Sequence, residues 1–373
     1  MKTKISDSTS EPPSGGATLV DSCQERPCGF VGGHDGVMNV GLTYDLRSEY
    51  LAMGYGEVDT AEFDRDDTIE SIERAVAALG HRTDRIGHVR QLAERLVNGD
   101  RWDLVFNIAE GVSGIGREAQ IPALLDAYGV PYTFSDPLVS ALTLHKGMTK
   151  SVLRDLGIPT TEFAVVEDLG DLSRIRFGYP MFVKPVGEGT AKGIDAGSKV
   201  HSRAQLVRRC QATLDEHRQP VLVEPYLAGR EFTTSLIGTG DHARVVGTLE
   251  IRLLDGAEPD AYTYVNKERC EDLVEYTRVR GEWARRCARL ALRTWRALGC
   301  RDAGRVDLRC DDFGVLQVLE VNPLPGLHPE HSDLPMTCTA MGVSYDDLIR
   351  DIVASASQRV AREVSVGGLE SAA

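Results

Sequence analysis

Apolar and polar positions recur along this chain in two rhythms. Between residues 37 and 108, the short apolar runs VMNVGLTYD, HRTDRIGHV and WDLVFNI read as strands, and stretches at 66–79 and 89–96 carry helical spacing between them. Strands alternating with helices predict a parallel, doubly wound sheet. After GVPYTFSD the pattern gives a helix over 145–156, the strands EFAVV, YPMFVKP and PVLVEPY, and a helix near 202–217. From Glu231 the strands lengthen (EFTTSLIG, RVVGTLEIRLL), a helix occupies 283–298, and AGRVDLRC and GVLQVLEVNP flank the turn DDFG. The segmentation predicted is a flexible tail over 1–36, rich in Ser, Thr, Pro and Gly, then domains at 37–141, 142–230 and 231–356 and a second tail at 357–373.

Composition narrows the class. A chain of 373 residues with 42% hydrophobic content can bury the cores of two or three domains. A formal charge of −14 opposes nucleic acid or an anionic membrane as partner, so small molecules are the expected ligands. No apolar run approaches the roughly 18 residues that span a bilayer, and the opening MKTKISDSTSEPPSGG lacks the apolar stretch of a secretion signal; the expected location is cytoplasmic. The eight cysteines form no CxxC pair and are expected to be reduced thiols.

Candidate chemistry enters where polar residues interrupt apolar strands. In QVLEVNPLPG, Glu320 and Asn322 occupy strand positions that burial makes costly unless a positive partner meets them. If RVDLRC and VLQVLEVN form a hairpin with a two- or four-residue turn, Arg305 faces Glu320, and Arg305, Asp307, Glu320 and Asn322 share one face. Val306, Leu308, Leu319 and Val321 then face a core; a three-residue turn would break the arrangement. Two carboxylates and an amide suit a hard divalent cation such as Mg²⁺, while a solvated face with an Arg305–Glu320 ion pair, worth about 0.2–1 kcal/mol, explains the hairpin equally well. Upstream groups shift that balance. Lys184 ends an apolar strand, GEGTAKG (187–193) has the small residues of an anion-binding loop, and Glu224 and Glu231 flank PYLAGR, where acids could accept from an adenine amino group and ribose hydroxyls.

These pieces occur together, and in this order, in the ATP-grasp superfamily, and the sequence resembles its D-alanine:D-alanine ligase branch. The stretches that carry the resemblance, within about 102–353, are GVPYTFSDPLVSALTLHKGMTKSVLRDLGIPT, FVKPVGEGTAKGI, LVEPYLAGREFTTSLIG, AGRVDLR and LEVNPLPGL with HSDLP. The resemblance implies an α/β, ATP-grasp fold: a doubly wound parallel-sheet substrate domain, then a central lid domain and a C-terminal catalytic domain, both α+β, sandwiching ATP. It also implies that Lys146 and Lys184 bind ATP phosphates under a lid containing Glu188, Gly189 and Thr190. Glu224, with backbone groups near Tyr226 and Leu227, would read the adenine, and Glu231 would hold the ribose. Asp307, Glu320 and Asn322 would ligate Mg²⁺ or Mn²⁺, usually two ions. Arg305 and Lys267 would contact the acyl phosphate, the Gly326 N–H would stabilise the tetrahedral intermediate, and Ser332 would hold the second substrate's carboxylate. The implied activity is ATP-dependent amide formation between a carboxylate and an amine through an acyl phosphate, in a possible homodimer.

Departures from the family pattern cluster on the amino-acid side. Glu110 stands where the family has a histidine, Glu268 where it has a tyrosine and Thr190 where it has a serine, so substrates other than two D-alanines are expected. Asp45 and Glu49 are both candidates for orienting the first substrate. The alternatives are a true D-alanine:D-alanine ligase, an intramolecular ATP-dependent cyclase and a non-catalytic nucleotide sensor. Arg117 and Glu118 could both touch substrate, and for Glu118 a helix N-terminal charge is the slightly favoured alternative. His328 and His331 are expected in an exposed loop, and Trp283 and Trp295 in a core.

Overall fold

The computed structural model describes residues 5–7 and 36–370, arranged around three sheets. The first is parallel and three-stranded, with Asn39–Thr43 between Arg82–Gly87 and Leu104–Asn107. Helices cover both its faces, as the alternation of strand and helix signals predicts. Ile69, Ile72 and Val76 of the Asp66–Ala78 helix pack on Val40, Leu42 and Phe106, while Leu92, Leu96, Ile121 and Leu125 pack on Ile86 and Val105. The first of these cores is completed from far along the chain, by Leu348, Ile349, Ile352 and Val353 of the Tyr345–Glu370 helix. That helix continues past residue 356, so the expected C-terminal tail begins as helix, with Arg359 bonded to Asp302 at 2.6 Å. Of the expected N-terminal tail, Ile5–Asp7 form a strand beside Tyr276–Arg278, and residues 1–4 and 8–35 lie outside the described residues.

The second sheet is antiparallel, in the order Ala164–Val166, Val221–Pro225, Met181–Pro185, Lys199–Val200, and is backed by the Arg203–His217 helix through Leu206 and Cys210. The third has six strands, and one edge of it is the hairpin Ala303–Cys310 and Leu316–Asn322 beside Glu231–Ile237. One face of it rests on the Gly281–Leu298 helix, where Trp295 is fully buried and Gly299, at φ 74°, ends the helix in the left-handed conformation that glycine favours.

The hairpin register differs from the expected one. Asn322 faces Arg305 and Glu320 faces Asp307, because a five-residue loop, 311–315, separates the paired Cys310 and Leu316. An odd loop alone would put Glu320 on the wrong face. A bulge between the Asp307 and Leu308 rungs restores it: Leu308 pairs with Val318, Asp307 with Glu320, and Leu319 is the extra residue. Arg305, Asp307, Glu320 and Asn322 therefore do share a face, while Val318 takes the core place expected for Leu319. Leu319 instead turns to a cavity beside Glu320.

Candidate functional site

Two adjoining cavities lie where the second and third sheets meet. The larger is lined by Phe182, Lys184, Glu224, Tyr226, Leu227, Glu231, Lys267, Asp307, Leu319 and Glu320. Its apolar walls come from strand ends and the Tyr226–Leu227 connector. Glu224 is 4% exposed and takes two ammonium groups, Lys184 at 2.8 Å and Lys150 at 3.0 Å. Burial alone would raise its carboxyl; the two lysines outweigh burial and hold it at about 2. Lys150 escaped the sequence reading, although its i,i+4 spacing from Lys146 puts both on one helix face. At the far end Arg309 meets Glu231 at 3.1 Å and donates to the Tyr226 hydroxyl at 3.0 Å.

The second cavity is lined by Glu110, Glu118, Lys146, Thr190, Arg305, Asn322 and Gly326 among others, and shares Glu320 with the first. Lys146 pairs with Glu320 at 2.9 Å and donates to the Glu188 carbonyl at 2.5 Å. Arg305 lies 3.3 Å from Asp307 and 3.1 Å from Asp333, a partner the sequence did not suggest. Asp307 accepts from Thr233 at 2.8 Å and from the Asn322 amide nitrogen at 3.1 Å, which leaves the amide oxygen available. Ser332 bonds the backbone N–H of His328 at 3.0 Å, and a Cβ on Gly326 would come within 2.8 Å of its hydroxyl, so only glycine lets the chain pass this closely.

From the parallel-sheet unit comes an acidic wall. Glu118 lies in the first turn of the Arg117–Ala119 helical segment, as expected, and also lines the cavity, where burial pushes its carboxyl up to about 7 against the pull of Arg117. Glu110 is likewise raised, by burial first and by Glu118 next. Neither makes a side-chain hydrogen bond or ion pair among the described residues. Glu62, unforeseen in the sequence, is held by Arg117 at 2.8 Å and accepts from Gly189 N at 2.5 Å. Asp45 bonds Tyr50 and Gly111, at 2.6 and 2.7 Å, and Glu49 lines neither cavity. Glu268 is exposed at the end of the Tyr264–Glu268 helix and lines neither cavity, whereas its neighbour Lys267 lines the larger one. His328 and His331 sit 4.6 Å apart, ring to ring, on Asp67 and Glu271.

The comparisons decide the family. The model described as D-ala D-ala ligase C-terminus matches residues 152–354, more than half of the chain. The chain belongs to the D-Ala–D-Ala ligase family. This ligase is 34% identical over 269 residues to the uncharacterized protein y4sG of Sinorhizobium fredii, covering 69% of this chain and 75% of that one. It is 35% identical over 266 residues to a D-alanine–D-alanine ligase of a Marinomonas species, covering 70% and 80%. Its fold matches the structure of D-alanine–D-alanine ligase from Bacillus anthracis complexed with ATP at a TM-score of 0.65 and 22% identity, over 88% of this chain and 99% of that one. The ligase therefore has the ATP-grasp fold and is an ATP-dependent enzyme forming C–N bonds, from a family that uses ATP and Mg²⁺.

The residues present fit such a metal. Among the described residues no three His, Cys, Asp or Glu group to hold an ion, so a cation at the hairpin would rest on two carboxylates and an amide oxygen, with phosphate and water completing its shell. Among the same residues no helix is long and apolar enough to cross a membrane.

Proposed function

We propose that the ligase joins the carboxylate of an amino-acid donor to an amine through an acyl phosphate, with a donor other than D-alanine. The observation that carries this reading is the shared position of Glu320 between two cavities, one shaped for a nucleotide and one walled by unpartnered carboxylates. Lys146 and Lys184 neutralise the phosphates, Glu224, Tyr226 and Leu227 seat the adenine, and Glu231 takes the ribose. Asp307, Glu320 and Asn322 would hold two Mg²⁺ ions, which supply charge neutralisation for phosphoryl transfer. Arg305 and Lys267 steady the acyl phosphate, the Gly326 N–H faces the developing oxyanion, and Ser332 orients the acceptor. Glu110 and Glu118 receive the donor's ammonium group, which keeps the carboxylate end directed at Arg305 and Lys146.

A true D-alanine–D-alanine ligase is the second reading, favoured by relatives of that name at 33% and 35% identity. ADP release across a matrix of D- and L-amino acids and amines, with product masses, separates the two. The proposal expects a donor other than D-alanine to give the highest kcat/KM. D-alanyl-D-alanine as the dominant product would overturn it.

A further inference from the structure

The loop 187–193 is fastened at three consecutive residues, two of them to the parallel-sheet unit. Arg117 donates to the Gly187 carbonyl at 2.6 Å, Lys146 to the Glu188 carbonyl at 2.5 Å, and Gly189 N donates to Glu62 at 2.5 Å. Glu62 and Arg117 are themselves an ion pair, 2.8 Å apart, with both side chains 7% exposed. Each carboxylate oxygen of Glu62 thus has its own partner, one on Arg117 and one on the loop. The fit is close: a Cβ on Gly189 would stand 3.0 Å from the Glu62 carboxylate. Immediately beyond, Thr190 at φ 46° and Ala191 at φ 57° are held in the left-handed region, which a β-branched residue occupies only when its surroundings impose it.

We propose that Glu62 and Arg117 are positioning residues that hold this loop closed over the reaction and couple its closure to the donor cavity. They lie before residue 152, where the family match begins, and reach the loop across 127 and 70 residues of sequence. The inference rests on the assignment of the loop to the ATP phosphates. Its chemical consequence is protection of the acyl phosphate. Where the loop opens early, water attacks the acyl phosphate and cleaves its bond to phosphate, giving back the donor carboxylate and inorganic phosphate, so ATP is consumed without an amide.

The test compares wild type with Glu62→Ala and Gly189→Ala, both checked for folding by thermal unfolding. Gly189→Ala disturbs the contact sterically while leaving the buried ion pair in place, so it decides the matter if Glu62→Ala does not fold. Both variants are expected to lower the ratio of amide to ADP several-fold and to speed proteolytic cleavage within 187–193 when a non-hydrolysable ATP analogue is bound. Their kcat/KM for ATP should fall on the order of 10²-fold, the cost of a misplacement of about 1 Å. Glu62→Gln, which keeps one acceptor oxygen but sets an amide N–H against the other donor and removes the charge, should retain only part of the coupling. A folded variant with wild-type coupling and wild-type loop cleavage would overturn the proposal. If wild type releases no ADP with any donor, the functional reading fails instead, and the cleavage rates still decide the role of the pair.

Discussion

A carboxylate drawn out of water stays ionised only where cations meet it, and Glu320 meets two. Burial alone would raise its carboxyl, but Lys146 and then Lys184 hold it at about 2. Its folded value lies below the ordinary carboxylate value of about 4.3, so the stability it contributes is full above that value and disappears as pH falls towards 2. Glu224 behaves in the same way. Glu320→Gln is expected to abolish ADP release while leaving the protein folded, and to shrink the loss of stability between about pH 4 and pH 2 seen in urea unfolding. Activity near wild type would exclude Glu320 from the metal site. Glu118 has the opposite sign: burial raises it to about 7, so it gains its charge only as pH rises through that value. The kcat/KM for the donor should therefore climb through about pH 7, and Glu118→Gln should flatten that limb and raise the donor KM without changing the KM for ATP.

Among elements, the hairpin shows what sequence can and cannot reveal. The face shared by Arg305, Asp307, Glu320 and Asn322 was legible from alternation, and the need of Lys184 for a partner from an ammonium ending an apolar strand, whereas Glu224 by itself read as a solvated loop charge and is buried. The loop and the bulge were not, because each adds one residue and their effects on facing cancel; a hairpin has a reading frame, restored here by a second insertion. Leu319 reads as core only if that bulge is missed. Val318→Ala should cost on the order of 1.5 kcal/mol in chemical denaturation, since Val318 is fully buried in the third sheet's core. Leu319→Ala should cost less than that and instead raise the KM for ATP. Equal stability losses with an unchanged KM would contradict the placement of the bulge. Glu62 was illegible for a different reason. It lies in a turn-rich stretch with no periodicity, and its partner in the loop is 127 residues away. Glu268 illustrates the converse, since a matching position in a motif does not fix which way a short helix presents it.

Over the whole molecule, Asp302 joins parts that the sequence separates. It is fully buried, with φ 62°, and accepts from Phe134 N at 2.7 Å, Ser355 at 2.7 Å and Arg359 at 2.6 Å. The parallel-sheet unit, the six-stranded sheet and the last helix thus meet on one carboxylate. Asp302→Ala should destabilise by about 1–3 kcal/mol, the cost of leaving the buried Phe134 N–H without its acceptor, and thermal unfolding measures it. An unchanged midpoint would show that the three parts are held together elsewhere. The last helix carries a further consequence, one of timing. Leu348, Ile349, Ile352 and Val353 close the core over Val40 and Leu42, yet they are synthesised after both other sheets. A ribosome delivers that face of the first sheet covered by the Asp66–Ala78 helix alone, and the rest of its apolar surface waits through most of translation for the last helix. Completion of the parallel-sheet unit's core is therefore the last step of synthesis, and the incomplete core is exposed meanwhile to aggregation.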